Sequence, residues 1–147
     1  MSTTTASSDI AVEHTSSRLT STLPRATATV GVLAAAATTG VAAILRAAGV
    51  PLSVNGQIPL AAFAQFTFIG AVMGGVLVAL LIRRSTAPRQ RFVQIAIGLT
   101  ALSCAVPLAF ADTLASGFAL VGLHLVAAAI IVPVLARYAD RPTPTRH

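Results

Sequence analysis

The stretch Thr113–Ala136, TLASGFALVGLHLVAAAIIVPVLA, decides the fold. It holds no formal charge, one histidine near its centre (His124) and one proline near its end (Pro133). Arg137 and Tyr138 follow directly. At a rise of about 1.5 Å per residue, a helix of this length crosses a hydrocarbon layer of about 30 Å. Three other apolar runs of similar length precede it, at 26–48, 58–82 and 92–111. Shorter or strongly two-faced runs would point to surface-lying helices, and none of the four has that form. The expected fold class is therefore all-α: a polytopic four-transmembrane-helix bundle, with spans 26–48, 58–82, 92–111 and 113–136 in one domain over 26–138.

Composition points the same way. Of 147 residues, 55% are apolar and only 10% charged, against about 25% charged in an ordinary soluble domain. So few charges leave an aqueous surface hard to cover. Residues 1–25 are rich in Ser and Thr and show no sustained period, so the expectation is a disordered cytoplasmic tail. A secretory signal is a poor fit, because the first apolar run is too long and its basic residues stand far from Met1. Residues 139–147 carry prolines and arginines and are expected to form a second disordered tail.

Charge placement gives a threading. The net charge is +6, and every basic residue is an arginine. Arg18 and Arg25 precede the first span. Arg83, Arg84, Arg89 and Arg91 separate the second and third, and Arg137, Arg141 and Arg146 follow the fourth. With four spans all of these fall on one side, and only Arg46 falls on the other. Both termini are then cytoplasmic, and the location is the plasma (inner) membrane. The expected partners are the bilayer, anionic lipids at the arginine face, and a second copy or another membrane protein. The arginines flank apolar runs and form no stripe on a soluble surface, so nucleic acid is excluded as a partner.

Few residues could carry chemistry. His124 lies roughly midway between Asp112 and Arg137. Its helical neighbours include Gly117, Ala127 and Ala128, small residues suited to close packing, so it should face inward. Thr100 and Ser103 project to a similar depth, and Gln65 is the one amide deep in a span. Together they form the candidate buried polar site. The readings open for His124 are a structural hydrogen bond to a hydroxyl or carbonyl, or a part in handling a ligand or proton. No span contains Asp or Glu, and no second histidine lies in a span. A lone Cys104 makes neither a disulfide nor a cysteine metal site. No nucleophile–base pair appears, so no enzyme activity, cofactor or metal is expected.

Gly70, Gly74 and Gly75 form a GxxxG-type stripe for helix packing. Arg46 and Asp112 are the only formal charges on the outer side. They either pair at the rim or act separately, with Asp112 capping the fourth helix. Pro59 should sit in the first turn of the second helix.

The stretch His124–Arg137 resembles the last helix of a family of small, uncharacterised four-helix membrane proteins of actinobacteria, grouped as a domain of unknown function. The Arg83-Arg84 loop and the Ala47-Ala48-Gly49-Val50-Pro51 exit of the first span fit the same pattern. The resemblance implies the fold and a plasma-membrane location, and lends no activity. The sequence leaves two functional expectations. One is a non-enzymatic structural, interaction or accessory subunit. The other is a small-solute carrier or pore with His124 and Gln65 lining the path.

Overall fold

A computed structural model describes residues 6–140, with side chains from residue 23 onward. The described residues form four helices: α1 (Ala6–Ala47), α2 (Leu60–Arg84), α3 (Pro88–Phe110) and α4 (Leu114–Ala139). Each includes a segment long and apolar enough to cross a membrane, which in α1 is Leu23–Ala47. The all-helical, four-helix expectation therefore stands at the level of length and composition.

Helix ends differ from the sequence reading for local reasons. Helix α1 starts at Ala6, inside the stretch expected to be a tail, and runs through Pro24. Extending an existing helix needs no new nucleus, so a packed segment can carry a polar extension. Residues 1–5 and 141–147, parts of both expected tails, lie outside the described residues. Pro59 is the N-cap of α2 and not part of its first turn. Ile58 is held in the preceding loop by its N–H bond to the Leu52 carbonyl (3.0 Å). Helix α3 begins at Pro88, which draws Arg89 and Arg91 into its first turn. Proline suits that position because its missing N–H would have had no helical partner.

Helix α1 packs on α2 and α4, and α3 packs on α4 and more thinly on α2. Helices α1 and α3 stand diagonally opposite and do not touch. Helix α1 approaches α2 closely at Gly75. A Cβ placed there would lie 2.5 Å from Thr27 Oγ1 and 2.6 Å from its Cγ2. One position earlier, Gly74 faces α4, with Leu135 Cδ1 2.9 Å from an added Cβ. Gly70 has no such neighbour within 4 Å. The glycine stripe thus divides, with two members packing on different helices and the third facing open space.

Two apolar cores form, one at each end. At the arginine end, Val30, Val78, Phe92, Leu135, Ala136 and Ala139 pack together. At the opposite, loop end, Ala42, Leu52, Leu120 and Leu123 do so. Helix α3 contributes only two buried residues, Phe92 and Pro107, one toward each end. It is fastened at two points, with a long unburied middle. The outward surface is strongly apolar, including Phe66, Met73, Leu102, Phe118 and Leu125, while Thr27, Thr38 and Ser116 are buried.

Substitution should separate the two kinds of glycine. Gly75→Val is expected to destabilise the fold by about 1–3 kcal/mol through overpacking against Thr27. Gly70→Val should change stability by no more than about 0.5 kcal/mol. Unfolding in mixed detergent micelles measures both, and equal losses would contradict the packing described.

Candidate functional site

Between the two cores lies a cavity of about 820 Å³, lined by α2, α3 and α4. Its α2 wall is Phe63, Phe66, Thr67, Gly70, Met73, Gly74 and Leu77, a stripe at helical spacing. Its α3 wall runs from Phe92 to Pro107 and includes Thr100 and Ser103. Leu120, His124, Ala127, Ala128 and Ile131 supply the α4 wall. Phe66 (71% exposed) and Met73 (63%) on α2 face Leu99 (55%) and Val106 (53%) on α3. These exposed lips leave the cavity open sideways, between α2 and α3. The opening follows from the two-point fastening of α3, which packs tightly only at its ends.

The structure brings His124, Thr100 and Ser103 to this one cavity and leaves Gln65 out. Gln65 is one residue off Phe66, so the helical turn points it away from the lining stripe, and it is exposed. Only about 7.5 Å of helical rise separates it from the start of α2. Gly70 and Gly74 belong to the cavity wall.

His124 Nδ1 lies 2.9 Å from the carbonyl oxygen of Leu120, one turn back on α4. A carbonyl only accepts, so Nδ1 carries the hydrogen and donates it. The Thr38 and Thr67 hydroxyls meet at 3.0 Å beside the cavity, joining α1 to α2. Thr38 also donates to its own helix, at the Ala34 or Ala35 carbonyl. The sequence carries no local signal for the Thr38–Thr67 contact, which joins residues 29 apart.

The loop end is closed by residues 48–59. Helix α1 ends with Gly49 at φ +81°. Its N–H donates to the Arg46 carbonyl (3.0 Å), and that of Val50 to the Leu45 carbonyl (2.9 Å), a glycine C-cap that satisfies two end carbonyls. The loop then turns through Asn55 (φ +53°) and Gly56 (φ +121°). Leu52 is wholly buried, and Val54 and Ile58 roof the cavity.

Arg46 and Asp112 do not pair with each other. The Arg46 guanidinium donates to the Ile58 carbonyl. The Asp112 carboxylate accepts from the N–H groups of Asn55 (2.9 Å) and Gly56 (3.3 Å). Asp112 N–H also bonds to the Ser53 carbonyl (3.3 Å). The cap of α4 is Thr113, whose side chain accepts from Ser116 N–H at 3.1 Å. Asp112, one residue earlier, is thereby free to hold the loop. Ser116 Oγ donates to the Pro51 carbonyl (2.5 Å), completing the fastening.

A family model described as "Family of unknown function (DUF6069)" matches residues 18–141. The chain belongs to this family. No curated protein and no solved structure matches it. In this DUF6069 member the matched region takes in all four candidate spans, the cavity and its roof. At the arginine end Arg83, Arg84, Arg89, Arg91 and Arg137 are all exposed, and Arg89 Nε lies 3.6 Å from Asp140 Oδ2. That exposed pair is worth little to stability. Among the described residues no group of three His, Cys, Asp or Glu stands close enough to hold a metal ion.

The Asp112 carboxyl is held below its ordinary value of 3.8, first by the Ser53 hydroxyl, then by the Asn55 and Gly56 amides. A carboxyl with a lowered folded-state pKa contributes stability that is present above its unfolded value and fades as pH falls through the folded one. Amide-exchange protection at Asn55 and Gly56, corrected for intrinsic rate, should therefore hold at neutral pH and fall below about pH 3.8. Asp112→Asn should lower that protection at neutral pH and remove its acid dependence. Unchanged protection in the variant would show that the carboxylate does not hold the loop.

Proposed function

We propose that this protein is a non-enzymatic, multi-pass plasma-membrane protein that binds a small, mainly apolar molecule taken from the bilayer. The carrying observation is the cavity: apolar walls, a few inward polar groups, and a side opening between α2 and α3. Its volume lies within the range of about 300–1,000 Å³ usual for small-molecule sites.

Because the cavity opens to the side, an apolar molecule of the bilayer can occupy it. A lining that is mostly carbon favours an apolar occupant over water. Both ends are packed, which supports a binding site and not a continuous pore. The reading keeps the non-enzymatic role expected from the sequence and takes its ligand site from the small-solute alternative, without Gln65.

Membrane placement is supported by the four long apolar helices, the apolar outward surface and the gathering of arginines at one end. The positive-inside rule then sets that end, with both termini, in the cytoplasm. The exposed arginines there would meet anionic headgroups.

The test is a filled cavity. Gly70→Phe places a ring where an added Cβ meets nothing within 4 Å. Wild-type protein extracted in mild detergent should retain an apolar molecule, read by mass spectrometry of the organic extract. Gly70→Phe should lose it while melting within a few degrees of wild type. Equal retention by both proteins would refute the cavity as the site, as would a wild type that holds nothing and takes up no apolar dye.

A further inference from the structure

We propose that the molecule this cavity accepts is a hydrogen-bond donor: a long apolar body carrying a hydroxyl, an alcohol or a phenol, that donates to His124. The inference rests on the reading of the cavity as a binding site and adds the ligand's chemistry.

It follows from an acceptor on the cavity wall that no donor among the described residues reaches. With the Nδ1 hydrogen given to the Leu120 carbonyl, the Nε2 of a neutral imidazole is a pure acceptor. No carboxylate lines the cavity. Among the described residues Nε2 has no hydrogen-bond partner. A second acceptor is set by Pro107. Lacking an N–H, it leaves the Ser103 carbonyl without its helical donor, on the α3 wall that both residues line. Thr100 and Ser103 hydroxyls stand on that wall too, and neither reaches His124 by a hydrogen bond. A hydroxyl lodged against the α3 and α4 walls gives its hydrogen to one of these acceptors and accepts one from Thr100 or Ser103. An ether or ketone of the same shape supplies no hydrogen and leaves Nε2 unpaired.

The experiment uses the full chain in lipid nanodiscs, with native mass spectrometry as readout. Two probes differ by one hydrogen-bond donor: hexadecylphenol and its methyl ether. The phenol should bind about tenfold more tightly, the effect of one hydrogen bond to an otherwise unpaired acceptor. His124→Phe should abolish the preference for the phenol over the ether. His124→Gln, which can still offer an acceptor, should keep part of the preference and guards against a folding defect in the first variant. Equal binding of both probes to wild type, each displaced by Gly70→Phe, would overturn the donor inference and leave the cavity reading standing. A preference that survives His124→Phe would overturn the role of His124. Binding of neither probe, or binding insensitive to Gly70→Phe, would overturn both readings.

Discussion

A helix satisfies its backbone hydrogen bonds within itself, and the rest of this fold depends on where that rule is broken. The chain has very few polar side chains with which to repair a break. Two of the breaks bear on the loop and the cavity, while Pro24 in α1 and Pro133 in α4 interrupt the pairing elsewhere. The first of the two is the loop after α1, where backbone N–H and C=O groups leave helical pairing. The other is the middle of the bundle, where Pro107 frees a carbonyl beside the cavity. Elsewhere the helices meet through small residues and methyl groups, as Gly75 meets Thr27.

At the loop end three side chains make the repair, although the buried Nε of Arg46 itself has no partner among the described residues. Arg46, Asp112 and Ser116 come from the ends of α1, the α3–α4 turn and α4, and each binds loop backbone. The two charges are thus joined through the loop and not to each other. This arrangement holds three helix ends in register and presses Leu52 into the core beneath. In the middle the repair is partial: the Thr38–Thr67 pair and the His124–Leu120 bond are made, and other polar groups face the cavity unpaired. That contrast separates a hydrogen-bonded loop end from an open middle.

The number of helices was legible because length and lack of charge suffice to mark them. So was the gathering of arginines at one end, since an even number of spans returns the chain to the same side. His124 lies on the cavity wall with Ala127 and Ala128, though its side chain is exposed and not buried among them, and Gly117, two turns back, packs on Pro107. What could not be read depends on contacts distant in sequence. Asp112 stands where a cap would stand, but the loop at Asn55 claims its carboxylate, and Thr113 caps in its place. Pro59 looked like a first-turn proline because nothing local shows that Ile58 bonds back to Leu52. Gln65 and Thr67 differ by two residues, and only the direction in which α2 faces α3 decides which one enters the cavity. The cavity itself has no local signal, since it comes from how α3 leans on α4 while meeting α2 thinly.

The barriers around the cavity differ in kind, and that decides the route of entry. From the loop end, a solute must displace Val54 and Ile58, which means breaking the bonds made by Arg46, Asp112 and Ser116. From the arginine end it must part Phe92 from Val78 and Leu135, all fully or almost fully buried. Between α2 and α3 it meets only exposed apolar side chains, Phe66 and Met73 on one lip and Leu99 and Val106 on the other. Moving those breaks no hydrogen bond and uncovers no core. In water the same opening would expose apolar walls at about 25 cal/mol per Å². Among lipid tails that penalty vanishes, because the outside is as apolar as the wall. On the proposed reading, the lateral path is the easiest one only when the protein lies in a membrane, and it would admit molecules already dissolved there.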